Sequence, residues 1–336
     1  QHTKRSFAER AARSLFYKTL LQSPAKLRMV GVALKLYQKT GLRTVARRTG
    51  LLKRLPRYLG HADEYLPDLS NNFFAPKGQV FPAKGAKRAK VAMLAGCVMA
   101  LTHAKTLEAT VRVLARNGIE VHLTAGQGCC GALNSDAGEF NSSIDMAKRN
   151  IDSFLSINPD AIVSASAGCG ANMKQYAELI GKDDEYTDKA DRVVELTRDI
   201  HELLIEYAFE PPKKSLDVTV TYQDPCHLVN VQKITSAPRK ILNSIPGLKL
   251  VELSEPEVCC GSAGTYAITQ PDMSVQLGRR KARNIVKTGA EIVATANPGC
   301  ALQLDFALQQ IDRQDSSKKT TVRYVVDLLD AAYALE

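Results

Sequence analysis

From residue 89 onward the chain alternates short apolar runs with longer stretches whose apolar residues recur every three or four positions. The runs Lys90–Ala95, Glu120–Thr124 and Ala161–Ala165 read as strands, and the stretches near His103–Asn117 and Glu139–Ile157 as amphipathic helices. Helices near Met173–Ile180 and Val193–Tyr207 close the unit. Such alternation predicts a parallel sheet with right-handed crossovers. The order then recurs, with strands at Val218–Tyr222, Leu248–Leu253 and Glu291–Ala296 and a closing helix at Val322–Ala334. Ahead of these units the pattern is helical: Phe7–Leu21, Ala25–Thr40 and Leu42–Leu55, ended by Pro56 and Gly60. Residues 61–88, with Pro67, Pro76 and Pro82, read as an extended linker. The expected fold is α/β: two duplicated parallel-sheet repeats, 89–212 and 213–336, preceded by a helical segment and linker, 1–88. The repeats are expected to meet across a pseudo-twofold interface.

Charge sharpens this division. Residues 1–60 hold 15 Lys/Arg and one acid, Glu9, a balance of +14, whereas the remaining residues hold 30 Lys/Arg and 34 Asp/Glu, a balance of −4. A basic helical segment is thus joined to a mildly acidic body. Its readings are a solvated face, docking on an acidic protein, or contact with an anionic membrane surface. Few aromatics and no recognised binding fold argue against nucleic acid. The helix Val275–Val286, with Arg279, Arg280, Lys281 and Arg283, and Lys287 just beyond, is a second candidate docking face. With 336 residues, 45% hydrophobic and 24% charged, the chain is long enough for two cores and is not of disordered composition. No run of about 18 apolar residues is present to span a membrane. Residue 1 is Gln and no apolar signal core follows it, so an internal fragment or processed product is expected, in a reducing, cytoplasmic setting.

The eight cysteines carry the chemistry. Their offsets are 129 (Cys97 to Cys226), 130 (Cys129 to Cys259 and Cys130 to Cys260) and 131 (Cys169 to Cys300), so all eight pair off between the repeats. This is an internal duplication. Each cysteine falls just past the carboxyl end of a predicted strand, the edge where open parallel sheets place ligands. Four thiols should therefore converge in each repeat, a donor set for a cubane iron–sulfur cluster or a tetrahedral zinc. Ordinary buried cysteines are the plainer alternative. A disulfide framework fits poorly in a chain this large with two adjacent pairs, Cys129-Cys130 and Cys259-Cys260. Gly126-Gln-Gly-Cys-Cys-Gly131 matches a dinucleotide fingerprint, but the following strand ends without an acid, and Pro256-Glu-Val-Cys-Cys-Gly261 keeps the cysteines while dropping the earlier glycines. His227, beside Cys226, is a supporting donor, a ligand or a loop histidine bonded to backbone; His103 reads as a helix-start residue, and Asp224 as a turn cap before Pro225.

The spacing Cys-x31-Cys-Cys-Gly-x37-Cys, used twice with one-residue shifts, resembles the CCG cysteine-rich domain of the heterodisulfide reductase family. Asp224-Pro-Cys-His-Leu228, Ala294-Thr-Ala-Asn-Pro-Gly-Cys300 and the stretch Leu36-Tyr-Gln-Lys-Thr-Gly-Leu-Arg43 with Thr49-Gly-Leu-Leu-Lys-Arg-Leu-Pro56 resemble its relative, the iron–sulfur subunit of glycolate oxidase. The resemblance implies an electron-transfer subunit that takes electrons from a flavoprotein partner oxidising glycolate or another 2-hydroxy acid, FAD being on that partner. It also implies [4Fe–4S]-type ligation by Cys97, Cys129, Cys130 and Cys169, and by Cys226, Cys259, Cys260 and Cys300. Peripheral contact with the inner face of the cell membrane would then fall to residues 1–60. The sequence departs from the reductase pattern at Ser166 and Asn297, where a fifth cysteine would stand, and lacks the Cys-x-x-Cys-x-x-Cys runs of the ferredoxin-like region found in the glycolate oxidase protein. Two other functions compete: a docking module with zinc or empty cysteine sites, and a thiol–disulfide oxidoreductase of the heterodisulfide reductase kind.

Overall fold

The computed structural model describes residues 7–50, 63, 65–67, 69, 72–182, 184–312 and 319–336. Its first sheet holds β1 (Gln79–Phe81), β2 (Ala89–Leu94), β3 (Ile119–Leu123), β4 (Ala161–Ser164) and β5 (Thr197–Asp199), in the order β1-β3-β2-β4-β5. The second holds β6 (Val218–Tyr222), β7 (Leu248–Val251), β8 (Ile292–Thr295) and β9 (Thr321–Tyr324), in the order β7-β6-β8-β9. Apart from β1, strand order is the same in both, and every pairing other than β1 with β3 is parallel. Val91 to Leu94 of β2 are all buried, as expected of a parallel strand covered on both faces.

Three elements differ from the sequence reading. The segment read as a linker contributes β1, which pairs antiparallel with β3 from Gln79 opposite Leu123 to Phe81 opposite Val121. The helices read at Val193–Tyr207 and Val322–Ala334 each contain a strand. In the first repeat the helix Thr187–Leu196 stops, β5 follows, and the helix Ile200–Glu206 begins. In the second, β9 runs directly into the helix Val325–Ala334. Both strands end on the cap of the next helix: Asp199 N–H donates to Glu202 at 3.3 Å, and Tyr324 N–H to Asp327 at 3.2 Å. The amino-terminal helix is α-helical over Phe7–Arg13 and π-helical over Ser14–Leu20. Pro24–Lys39 starts on Ser23, whose Oγ accepts from Lys26 N–H at 3.3 Å. The third helix spans Leu42–Arg48 and is capped by Thr49, with Gly50 in the turn beyond; residues 51–55 of its expected range lie outside the described residues.

The repeats interlock reciprocally. The helix after the first strand of each packs on the last helix of the other: Ala104–Arg116 on Val325–Ala334, and Ile200–Glu206 on Ser236–Asn243. One core runs through both, uniting Met93, Leu107 and Leu114 with Tyr222, Val325 and Leu329. At its rim Arg112 Nη2 reaches Asp330 at 2.7 Å, and Thr106 Oγ1 donates to Asp327 at 3.1 Å.

His103 stands edge-on to Tyr324, ring centroids 5.1 Å apart, and burial pushes its pKa down to about 4. A histidine kept neutral in the fold binds its proton more readily when unfolded. Stability is therefore expected to fall as pH drops from about 6.5 towards 4 and to level off below that, by about 3 kcal/mol. Urea unfolding of wild type and His103→Gln across this window checks it; equal slopes would contradict it.

Candidate metal centres

In the parallel sheets the carboxyl ends of the strands share one edge, and the cysteines lie in the loops leaving it. Cys97 precedes the helix Val98–Thr102, Cys129 and Cys130 precede Ala132–Asp136, and Cys169 lies in the first turn of Ala167–Met173. Cys226, Cys259, Cys260 and Cys300 take corresponding places, and all eight are free thiols.

The thiols of each repeat form a row in the same order. Cys129 Sγ lies 3.1 Å from Cys97 Sγ and within electrostatic reach of Cys130, as Cys130 does of Cys169. In the second repeat the same electrostatic order runs from Cys226 through Cys259 and Cys260 to Cys300. The first cysteine of each adjacent pair is the natural thiolate. The neighbouring thiols of Cys130, then Cys97, hold the Cys129 thiol well below its ordinary pKa. The neighbouring thiols of Cys226, then Cys260, do the same for Cys259, helped by Gly261 N–H, which donates to its Sγ at 3.3 Å. Donation to these thiolates, with burial, pushes Cys97, Cys130, Cys226 and Cys260 upward.

The glycine after each pair makes the turn. Gly131 and Gly261 have φ of +91° and +95°, and a Cβ there would meet Ser143 Oγ and the Ser274 carbonyl, each at 2.6 Å. Gly131→Ala and Gly261→Ala are each expected to cost about 1–3 kcal/mol. Thermal unfolding checks this, and an unchanged midpoint would contradict it. Further bonds fix the first pair: Asn150 and Asn172 donate to the carbonyls of Cys129 and Cys130 at 2.9 and 2.7 Å. Tyr176 Oη donates to the Cys130 carbonyl at 2.8 Å.

Ser166 and Asn297 face one another where the repeats meet, 3.4 Å apart. Asn297 Oδ1 also accepts from Gly168 N–H at 3.0 Å, and Ala167 N–H donates to the Ala296 carbonyl at 3.0 Å. The two positions that depart from the reductase pattern thus join the repeats. Tyr324, fully buried, lies within electrostatic reach of both Cys169 and Cys300.

The rows differ in cover. Tyr17 and Leu21 of the basic segment are buried against Cys97, Cys129 and Met146. Asn134 Nδ2 donates to the Tyr17 carbonyl at 3.0 Å, and the Tyr17 hydroxyl meets Thr265 of the second repeat at 3.1 Å. Arg13 pairs with Glu139 at 3.2 Å, and Lys18 with the same carboxylate at 3.6 Å. A cleft lined by Leu21, Pro24, Arg28, Phe73, Cys97 and Cys129 runs under this cover. Arg43 and Arg47 close on Asp63 at 3.4 and 2.7 Å. Part of the basic surplus is therefore turned inward, while Met29, Val32 and Leu36 leave an apolar stripe exposed. In the second row Cys226 and Cys259 are only half-buried.

The other singled-out residues have structural places. Gln127, inside the fingerprint-like loop, is buried; it donates to the Met93 carbonyl at 3.0 Å and accepts from Ala95 N–H at 2.8 Å. His227 Nδ1 lies 3.7 Å from Cys226 Sγ. Asp224 is not a turn cap: its carboxylate takes both ends of Arg239, at 2.9 and 2.7 Å, because it is buried and needs a charged partner. Among the described residues no three His, Cys, Asp or Glu side chains close on one point as a mononuclear ion requires. Likewise no helix there is long and apolar enough to cross a membrane.

Comparison with known proteins adds what geometry alone does not. The cysteine-rich domain matches twice, over residues 91–174 and 220–305, and the linker region of the glycolate oxidase iron–sulfur subunit matches residues 8–66. The probable glycolate oxidase iron–sulfur subunit of Bacillus subtilis is 33% identical over 98% of this chain and 74% of its own length. The chain belongs to the glycolate oxidase iron–sulfur subunit family. The Escherichia coli glycolate oxidase iron–sulfur subunit is 34% identical over 74% of this chain and 59% of its own length. One subunit of the fumarate reductase (CoM/CoB) of Methanothermobacter marburgensis is 29% identical over 93% of this chain and 59% of its own length. Members of the family are thus iron–sulfur subunits of oxidoreductase complexes. The fold is shared at 11% identity with a hypothetical protein from Helicobacter pylori, with a TM-score of 0.53 over 83% of this chain and 55% of that one.

Proposed function

We propose that the chain carries electrons between a flavoprotein partner that oxidises glycolate and an acceptor, through two iron–sulfur clusters of [4Fe–4S] type. Cys97, Cys129, Cys130 and Cys169 would hold one cluster; Cys226, Cys259, Cys260 and Cys300 would hold the other. The observation that carries this reading is the pair of matching thiol rows in a chain of this family. The donor set fits: four thiols on three loops, one already favoured as a thiolate, for a cluster that takes one thiolate per iron. Binding would require the Cys97 and Cys129 thiols, at 3.1 Å, to part. When bound, such a cluster supplies reversible one-electron storage. The chain's own residues cover Cys97 and Cys129 of the first row and fix the loops through Asn150, Asn172 and Lys281.

Glycolate is favoured over lactate by the match of the linker region, which extends over residues 8–66. The test is to purify the chain anaerobically from its native host with its bound partners and add glycolate. Bleaching of the visible iron–sulfur band on glycolate addition is expected; bleaching by lactate alone would reassign the substrate, and by neither would overturn the reading.

A further inference from the structure

The internal duplication provides its own control, because positions within one repeat have counterparts in the other. On the helices Phe140–Leu155 and Pro271–Lys287, an offset of 131 pairs the buried positions Ser143 with Ser274, Ala147 with Gly278, and Ile151 with Ala282. The same offset pairs Asn150 with Lys281, respectively 0% and 1% exposed. Both side chains hold the loop that leads into the adjacent cysteines, by different means. Asn150 Oδ1 accepts from Gly128 N–H and its Nδ2 donates to the Cys129 carbonyl, each at 2.9 Å. Lys281 Nζ donates to the carbonyls of Glu255 and of Pro256, the latter at 3.2 Å. One row is therefore anchored by a neutral amide and the other by a buried ammonium.

That ammonium is electrostatically coupled to Cys259 and Cys260. Its bonds are to carbonyls, so no carboxylate is bound directly to it. The acids facing it are Glu255, Glu257 and Asp224, of which Glu255 pairs with Arg280 and Asp224 with Arg239. The first row has a cation too, Arg149, which acts on Cys129. It is half-buried and therefore more strongly screened by solvent, and its Nη1 is engaged by the Gln22 carbonyl of the cover. The second row is also the more open, with Cys226 and Cys259 half-buried.

We propose that Lys281 sets the order of the two centres: its buried charge raises the reduction potential of the second centre above that of the first, so that electrons collect at the row Cys226, Cys259, Cys260 and Cys300. The inference rests on the ligand reading above. Reduction adds one negative charge to the cluster, and a positive charge held nearby in a medium of low dielectric favours the reduced form. Solvent exposure at the second row acts together with it.

The test is a dye-mediated redox titration of the anaerobically purified complex, followed by electron paramagnetic resonance, with Cys130→Ser used to assign the signals. Two midpoints are expected, the higher at the second centre. Lys281→Gln keeps a donor for the carbonyls and removes the charge. It is expected to shift the second centre's reduction equilibrium at least tenfold, about 59 mV for one electron, and to leave the first unmoved. Lys281→Arg is expected to restore the midpoint. If Lys281→Gln does not hold its cluster, the converse variant Asn150→Lys carries the test, and the first midpoint should rise by a similar factor. An unmoved midpoint at an iron-loaded second centre overturns this inference alone. A second centre without iron overturns both the inference and the reading beneath it.

Discussion

Cys130→Ser is expected to strip iron from the first centre while leaving the second intact, and Cys260→Ser to do the converse. Both cysteines are 2% exposed and sit in the middle of their rows, so neither is replaceable by a neighbour. Serine preserves the packing and an acceptor for the Ala132 N–H that now reaches Cys130 Sγ at 3.5 Å. Loss of metal in these variants therefore reports ligation rather than unfolding, which the far-ultraviolet circular dichroism of the apo forms would verify. Each variant should retain about half of the wild-type iron and the spectroscopic signature of the other centre. Unchanged iron in both would refute the ligand assignment, and loss of all iron from either would show that the rows share one cofactor.

The second large effect concerns the cover. Tyr17→Ala removes a buried ring from against Cys97, Cys129 and Met146, together with the hydroxyl that meets Thr265. Truncating a buried aromatic costs about 3–5 kcal/mol, and here the loss falls on a peripheral segment whose detachment leaves the main core standing. The cover should then open locally. Air or ferricyanide should bleach the first centre about an order of magnitude faster than in wild type, because about 1.4 kcal/mol of opening free energy already gives tenfold. The second centre, already half-exposed at Cys226 and Cys259, should not change. Tyr17→Phe keeps the ring and loses one hydrogen bond worth about 1 kcal/mol, so its first centre should be only slightly more reactive. Equal bleaching in Tyr17→Ala and wild type would mean that the segment does not protect the centre.

The convergence of the thiols was legible because duplication and strand order together place all eight cysteines at sheet edges. What was not legible is the order of contacts within each row, which depends on loop paths after Gly131 and Gly261. The strands β5 and β9 escaped for one shared reason. Each is only three or four residues long and passes straight into a helix through its cap, so apolar periodicity runs on across the junction. β1 escaped because a three-residue antiparallel edge strand among prolines has no period of its own. The cover was missed for another cause: charge drew attention to the basic face of residues 1–60, whereas Tyr17 and Leu21 act through the opposite face. Their signal was present as large apolar residues one helical turn apart. The meeting of Ser166 with Asn297 required the pseudo-twofold packing itself, which no single repeat reveals.

The central claim is that each repeat holds an iron–sulfur cluster on its own row of cysteines. Iron and acid-labile sulfide measured on the anaerobically purified chain, together with its absorption spectrum, test this most directly. The account predicts about eight irons and a matching amount of sulfide per chain, with a broad visible band. A colourless chain that takes up no iron even after anaerobic reconstitution, or one loaded stoichiometrically with zinc, would contradict it.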